Sequence, residues 1–272
     1  MHEKLIHVNH LNETLDFSKL GILIDDNDLR DFEWSVSSSN DRITGFTKGV
    51  VTKTIPFVFN VKKSDADAIK NEFYEHFEKD ILSVDPGYFE MNGYRYYCYL
   101  TKSVKANYNK RKQYLELSAT ISSDDPYWIK ETTKTINFED VTETSALRYP
   151  FKYSFVYTNS SNSSNMANDS YVESDAIIRI YGQCLNPLVK IGDNIYQINA
   201  ELDANEFAEI DTANRTIIKY SKYGDQTNLF DKRNKQYDIF KAIPSGILTV
   251  SANSKFTVDI VTIERRGEPK WI

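Results

Sequence analysis

The dipeptide Asn92-Gly93 constrains this chain more than any other single feature. A type I′ turn needs positive φ at both central residues, which Asn and Gly accept, and its twist matches that of an antiparallel ribbon. A two-residue loop then fixes the register: Met91 faces Tyr94, Glu90 faces Arg95, Phe89 faces Tyr96 and Tyr88 faces Tyr97. One opposite-charge pair and three apolar or aromatic pairs result, all favourable across two strands. The hairpin Tyr88 to Tyr99 carries aromatics on both faces, through Tyr94, Tyr96, Tyr97 and Tyr99.

Strand signals continue on either side. Phe32, Trp34 and Val36 alternate with polar neighbours, and Val51, Ile55, Phe57, Phe59 and Val61 mark one face of a longer run containing Pro56. Proline has no N–H for a ladder, so this strand is expected at an edge there, or bulged. Leu115, Leu117, Ala119 and Ile121 alternate with Tyr114, Glu116, Ser118 and Thr120 in another strand. One helix interrupts the pattern. Ser64-Asp65-Ala66-Asp67 resembles a capping box, and Ala66, Ile69, Phe73 and Phe77 follow at helical spacing. Glu78-Lys79-Asp80 breaks the stripe, so the helix is expected to stop near His76 or Phe77, with Ile81 to Val84 resuming as strand.

Two domains are expected for 272 residues, because single cores rarely organise so long a chain. The pattern stops around Asp124-Asp125-Pro126-Tyr127-Trp128 and Lys130 to Lys134 is polar, which places the boundary near 130: residues 1–130 and 131–272. The second half holds short β runs at Ile136-Phe138, Tyr153-Tyr157, Ala176-Tyr181, Leu188-Ile191, Ile195-Ile198, Thr216-Tyr220, Gly246-Val250 and Phe256-Ile263, the spacing of a β-sandwich or jelly roll. Thr158 to Ser170 is rich in Asn and Ser without an apolar period and reads as a mobile surface loop. The fold class is mainly β.

Reactive constellations are scarce. The four histidines, His2, His7, His10 and His76, lie far in sequence from Cys98 and Cys184, so a zinc site is not indicated. Asp25, Asp26 and Asp28 cluster like a calcium loop, but the turn Gly is missing and Val36 stands where the closing Glu would be. Gly-x-Ser-x-Gly, Walker-type and Gly-x-Gly-x-x-Gly patterns are absent, which removes the usual devices of hydrolases and nucleotide enzymes. No catalytic residue, cofactor or metal is assigned, and the chain reads as a non-enzyme. The two cysteines fall in different expected domains and read as buried thiols. A net charge of −6 gives no attraction to phosphate backbones, and the one basic run, Asn109-Lys110-Arg111-Lys112, reads as a solvated turn. Neither a signal-peptide-like start nor a membrane span is seen, so synthesis in a cytoplasm without membrane insertion is expected.

The order of these elements resembles the distal tail proteins of bacteriophages with long, non-contractile tails. The residues carrying the resemblance are Ser118-Ala119-Thr120-Ile121 leading to Asp125-Pro126-Tyr127-Trp128, then Asp211-Thr212-Ala213-Asn214-Arg215-Thr216-Ile217, and Ile243-Pro244-Ser245-Gly246 before the closing strand Phe256 to Glu264. The resemblance implies an N-terminal β-sandwich-like ring domain with one helix and a hairpin, and a C-terminal galectin-like β-sandwich. It also implies a virion-tail location and a ring of six copies, single or as two stacked rings. Partners would be the tail tube protein, the tail-tip hub (tail-associated) protein and receptor-binding proteins, with DNA passing through the ring without specific binding.

Within that frame, Tyr88, Phe89, Tyr94, Tyr96, Tyr97 and Tyr99 are candidate subunit-interface residues, and Pro126, Tyr127 and Trp128 are candidate domain-junction residues. Two readings compete with a structural hub. A carbohydrate-binding module contacting the host surface would need exposed aromatic rings, for which Trp271, near Arg265, Arg266 and Lys270, comes closest of the three tryptophans. A hydrolase would need one particular carboxylate pair among the 39 Asp and Glu.

Overall fold

The computed structural model describes residues 4–24, 27–60, 65–109, 114–138 and 163–271. Two compact units divide the chain: Met1–Lys130 with Arg265–Ile272, and Glu131–Glu264. The closing residues Arg265–Ile272 belong to the first unit. There Arg265 makes a bidentate pair with Asp125 at 2.9 and 3.1 Å, Arg30 reaches Glu268, and the Arg30 guanidinium stacks 3.6 Å over the Trp271 ring.

In the first unit the chain runs β1 (Leu5–Val8), β2 (Thr14–Asp16), β3 (Ile22–Ile24), β4 (Ser35–Ser39), β5 (Arg42–Thr47), β6 (Val51–Asn60), α1 (Ala66–Ser83), β7 (Gly87–Met91), β8 (Tyr94–Asn109), β9 (Tyr114–Ser123) and the start of β10 (Trp128–Phe138). The β7–β8 register is the one that Asn92-Gly93 dictates, pair for pair, with φ of 54° at Asn92 and 77° at Gly93. Past Cys98, β8 leaves β7 and pairs with β9, and it also pairs with the start of β10 at Arg95 and Tyr96, so one long strand belongs to three ladders. β9 pairs in turn with β6. On the far side of β6 the short β3 covers only Phe57 to Phe59. The Thr54 N–H on that side donates to the Asp28 carboxylate at 3.0 Å. Pro56, two residues on, has its nitrogen on the same side, away from β9, so its missing N–H removes no bond from the β6–β9 ladder.

Aromatic rings dominate this core: Phe17, Phe57, Phe59, Phe73, Phe77, Phe89, Tyr94, Tyr96 and Trp128 are all buried. Helix α1 supplies Phe73 and Phe77. It also continues past the expected stop to Ser83, closing with Val84 in the left-handed region at φ 54°. The residues Phe73, His76, Phe77 and Asp80 form one buried stripe. Asp80 interrupts the stripe only in hydropathy, because its carboxylate is buried and bonded to His10. Ile81 to Val84 therefore form no strand, and Ile81, Leu82 and Val84 are exposed.

The second unit holds the rest of β10, then β11 (Ser163–Asn168), β12 (Asp175–Tyr181), β13 (Cys184–Leu185), β14 (Leu188–Ile191), β15 (Asn194–Gln197), β16 (Glu201–Leu202), β17 (Phe207–Asp211), β18 (Thr216–Tyr220), β19 (Gln226–Asn228), β20 (Gly246–Ala252) and most of β21 (Phe256–Arg266). The ladders β21-β12-β17-β18-β19 and β11-β20-β14-β15 enclose one core. Ile178, Ile180, Ala208, Ile210, Ile217, Val258 and Ile260 from the first meet Met166, Val189, Ile191, Tyr196 and Val250 from the second. Such packing of two inner faces is a β-sandwich.

The Asn/Ser-rich stretch departs from its expected loop: Ser163 to Asn168 is a strand on β20. Met166 and Asn168 face inward, and the Asn168 amide donates to the carbonyls of Ile243 and Pro244 at 3.1 and 3.0 Å. A polar side chain thus occupies a core position with its donors satisfied, which conceals the strand period. The expected strand Tyr153-Tyr157, the basic run 110–112, the Asp25-Asp26 pair and Ser64 lie outside the described residues. Cys98 and Cys184 are buried free thiols.

Candidate functional site

β4 and β5 form a hairpin that pairs with no other strand among the described residues. Its turn, Asn40-Asp41, has φ of 50° and 57°, the all-positive geometry that Asn and Asp tolerate. Thr44 is extra in the register between Ser37 and Ser38, a bulge that sharpens the twist. Every residue of both strands is exposed except the half-buried Gly45.

What the arm exposes is apolar. Val36 and Phe46 pair across the strands and are 55% and 58% exposed, and Ile43 is 63% exposed. Phe32, Trp34 and Val50 extend this surface at the root. Two-stranded ribbons are at best marginally stable alone in water, and this one exposes three large apolar side chains, with three more at its root.

The root of the arm is fixed. Lys48 places its ammonium 4.4 Å from the Tyr127 ring centroid, 4.8 Å from Trp34 and 5.8 Å from Phe32, and donates to the Pro126 carbonyl at 3.2 Å. Burial lowers the Lys48 pKa, opposed by the Asp125 carboxylate. A β-carbon at Gly267 would lie 3.3 Å from the Phe32 ring. The arm is therefore held at its base by a lysine among three aromatic rings and by a close backbone pass. Another lysine, the buried Lys53, donates to the carbonyls of Leu29 and Asp31 at 2.8 and 2.5 Å; desolvation lowers its pKa to about 8.

The residues singled out from sequence separate by face. Phe89, Tyr94 and Tyr96 are in the core of the first unit, whereas Tyr88, Tyr97 and Tyr99 are half-buried on its other face. Tyr88 and Tyr97 pack 5.3 Å apart, with Arg95 over the Tyr88 ring. Solvent-facing ring surface is thus confined to Tyr88, Tyr97 and Tyr99. Trp128 lies fully buried in the same core as Tyr96 and donates to the Leu29 carbonyl at 3.2 Å. Pro126 and Tyr127 sit at the root of the β4–β5 arm. That arm is what sequence reasoning missed. The hairpin signal was present: Phe32, Trp34, Val36, Ile43 and Phe46 flank the turn dipeptide Asn40-Asp41.

The sandwich of the second unit carries an aromatic row on its outward face, Tyr181, Phe207 and Tyr220, on adjacent strands. Phe207 and Tyr220 stack at 4.7 Å and 12°, so they cover each other's faces. Beside the row, Arg179 pairs with Glu209 at 2.7 Å and Asp259 accepts from Tyr181 at 2.8 Å. These groups thus engage one another across the strands. The Trp271 ring, 70% exposed, has Arg30 over it. Among the described residues, no group of three or more His, Cys, Asp or Glu is placed to hold a metal ion, and no helix is long and apolar enough to cross a membrane.

No protein-family model matches the chain, and no curated protein matches it in sequence. Solved structures do match it. The SPP1 Dit protein (gp 19.1), described as a hub of the adsorption apparatus in phages infecting Gram-positive bacteria, gives a TM-score of 0.62 at 9% identity, over 98% of this chain and 100% of that one. A chain of the phage P2 baseplate in its activated conformation with Ca gives 0.60 at 12% identity, over 99% and 100%. The same baseplate with Sr gives 0.58 at 12%, with the same coverage. Near-complete coverage in both directions makes this a Dit-like fold throughout, the fold that the resemblance in sequence implies.

Proposed function

We propose that this chain is a structural hub of a phage tail tip or baseplate, which assembles as a six-membered ring between the tail tube protein and the tail-tip hub protein, with receptor-binding proteins attached around it. The observation that carries this reading is the β4–β5 arm on a fold shared over its whole length with a phage hub protein. An apolar ribbon with no second layer of its own gains stability only when another surface covers it. A neighbouring copy supplies such a surface when the contact is head-to-tail, and a head-to-tail contact closes into a ring if the rotation per subunit allows it.

The first unit would form the ring and the second, a galectin-like sandwich in this reading, would project outward. The half-buried Tyr88, Tyr97 and Tyr99 are the remaining candidates for subunit contact. An acidic chain suits a channel through which DNA passes without sticking. No reacting group is required, since the work is mechanical joining.

Light scattering after gel filtration, at several concentrations and with negative-stain images of large species, tests the proposal. Six copies of the 31.5 kDa chain in a ring are expected, either alone or after addition of the tail-tip hub protein. Ile43→Ser with Phe46→Ser should abolish the ring while leaving the fold intact. A ring that forms unchanged in this variant would remove the arm from the interface. A wild-type chain that stays monomeric with and without tail partners would overturn the hub reading.

A further inference from the structure

Three of the protein's four histidines gather where the β1–β2 hairpin lies on helix α1. His7, on β1, is fully buried, and its Nδ1 is 2.9 Å from Nε2 of His76 on the helix. His10, in the β1–β2 turn, donates its backbone N–H to Asp80 Oδ1 at 2.9 Å, and its ring Nδ1 is 2.8 Å from the same oxygen. Its Nε2 lies 3.0 Å from the Ser83 hydroxyl. Lys79 adds an ion pair to Glu13 at 2.6 Å. The polar fastening of this hairpin to the helix therefore runs largely through imidazoles.

Among the described residues, the second nitrogen of the His7 ring has no acceptor for an added proton. His7 Nε2 and Asp80 Oδ2 are buried without a hydrogen-bond partner. Phe77 and Phe89 flank the His7 ring at 4.3 and 4.8 Å. Space for rearrangement is lacking too, because a β-carbon at Gly87 would collide with Asp80 Oδ2 and come within 2.6 Å of His7 Cε1. In the neutral pair one imidazole donates and the other accepts; once both are protonated neither can accept, and the bond between them is lost. The ionisable groups around the pair do not reverse this. For His76, Asp80 and Glu13 favour the charged form and Lys79 opposes it, but desolvation outweighs them all. For His7, desolvation and the charge of His76 act in the same direction. The thiol of Cys98, on the strand paired with Gly87, is neutral because burial raises its pKa.

We propose that His7 and His76 form an acid-operated latch: neutral, they hold the β1–β2 hairpin on α1, and protonated, they release it while the β6–β9 ladder stays folded, against the opposing His10–Asp80 contact, which becomes an ion pair when His10 is protonated. Both pKa values are lower in the folded state than in the released one, so the latch is closed above the unperturbed value of about 6.5 and loosens as pH falls through it.

Hydrogen exchange on the full chain at pH 7.5 and 5.5, corrected for the intrinsic pH dependence of exchange, is the test. Opening of residues 5–16 should become more favourable by at most about 10-fold for each of the two imidazoles, so by no more than roughly 100-fold in all, while Leu115 to Ile121 keep their protection. In His7→Phe with His76→Leu, that local response should vanish. Equal loss across the first unit, no loss at residues 5–16, or an unchanged response in the double variant would each overturn the latch. Should the double variant fail to fold, the wild-type comparison between the two segments decides alone.

Discussion

The Lys53 ammonium donates to the Leu29 carbonyl oxygen at 2.8 Å, and the same oxygen accepts the Trp128 indole N–H at 3.2 Å. A buried lysine and a buried tryptophan, 75 positions apart by their numbers, thus tie down one loop between β3 and β4. Lys53 lies over the Tyr96 ring as well, 5.0 Å from its centroid.

That arrangement sets a pH response. The pKa of Lys53 falls to about 8, chiefly through desolvation, so the folded state holds its proton less tightly than the unfolded state. Below pH 8 both states are charged and the full cost is present; above about 10.5 both are neutral and the cost is gone. Stability at this site therefore rises with pH across that window. Relative to Lys53→Met, which lacks the titration, the wild type should gain about 2–3 kcal/mol between pH 7.5 and 10.5, read from urea unfolding midpoints. Parallel pH profiles for the two proteins would exclude a perturbed Lys53.

Gly87→Ala should be among the most damaging single methyl additions. The new β-carbon would overlap Asp80 Oδ2 and lie 2.6 Å from His7 Cε1 and 2.7 Å from the Val8 carbonyl oxygen. Neither β1 nor the helix can yield without breaking the other's contacts. A loss of about 3 kcal/mol or more is expected by chemical denaturation, above the usual range for overpacking because one neighbour is backbone.

At the β7–β8 turn a milder effect is expected. Gly93→Ala forces a side chain to φ 77°, at a cost of about 1 kcal/mol. Asn92→Gly keeps the turn geometry but loses the amide bond to the Lys270 carbonyl at 3.1 Å, so a change of about 0.5–1.5 kcal/mol should be seen. If thermal melts rank Asn92→Gly as far more harmful than Gly93→Ala, the contact with Lys270 outweighs the turn itself.

Sequence reveals most where local chemistry and tertiary structure agree. Asn92-Gly93 sets φ and register together, so the pairing from Tyr88 to Tyr97 could be written from residues alone. It is hidden where a core position is polar. Asp80 on the helix and Asn168 on β11 both face inward with bonded side chains, and each breaks the apolar period that marks its element. Interface residues fail for another reason. Aromatics on both faces of β7 and β8 predict contact equally well for either face, and only the packing of α1 against one face decides that Phe89, Tyr94 and Tyr96 belong to the core. The β4–β5 arm is only half legible, as the single run Phe32, Trp34 and Val36, because nothing local says whether a second layer will cover it.

That division of faces yields the last prediction. Tyr94 is 1% exposed in the aromatic core, so Tyr94→Ala should cost about 3–5 kcal/mol, the usual penalty for emptying an aromatic site. Tyr97 loses only its packing with Tyr88 across the strands, about 1 kcal/mol or less. If Tyr97 contributes to the proposed subunit contact, Tyr97→Ala should lower the assembled fraction by light scattering while leaving the urea midpoint of the monomer nearly unchanged. Tyr94→Ala should do the reverse first, shifting the midpoint before any change in assembly that is not explained by unfolded chain. Were Tyr97→Ala to assemble as the wild type does, the outer face of the β7–β8 hairpin would be a solvated surface, and the β4–β5 arm would be left as the candidate contact of the first unit.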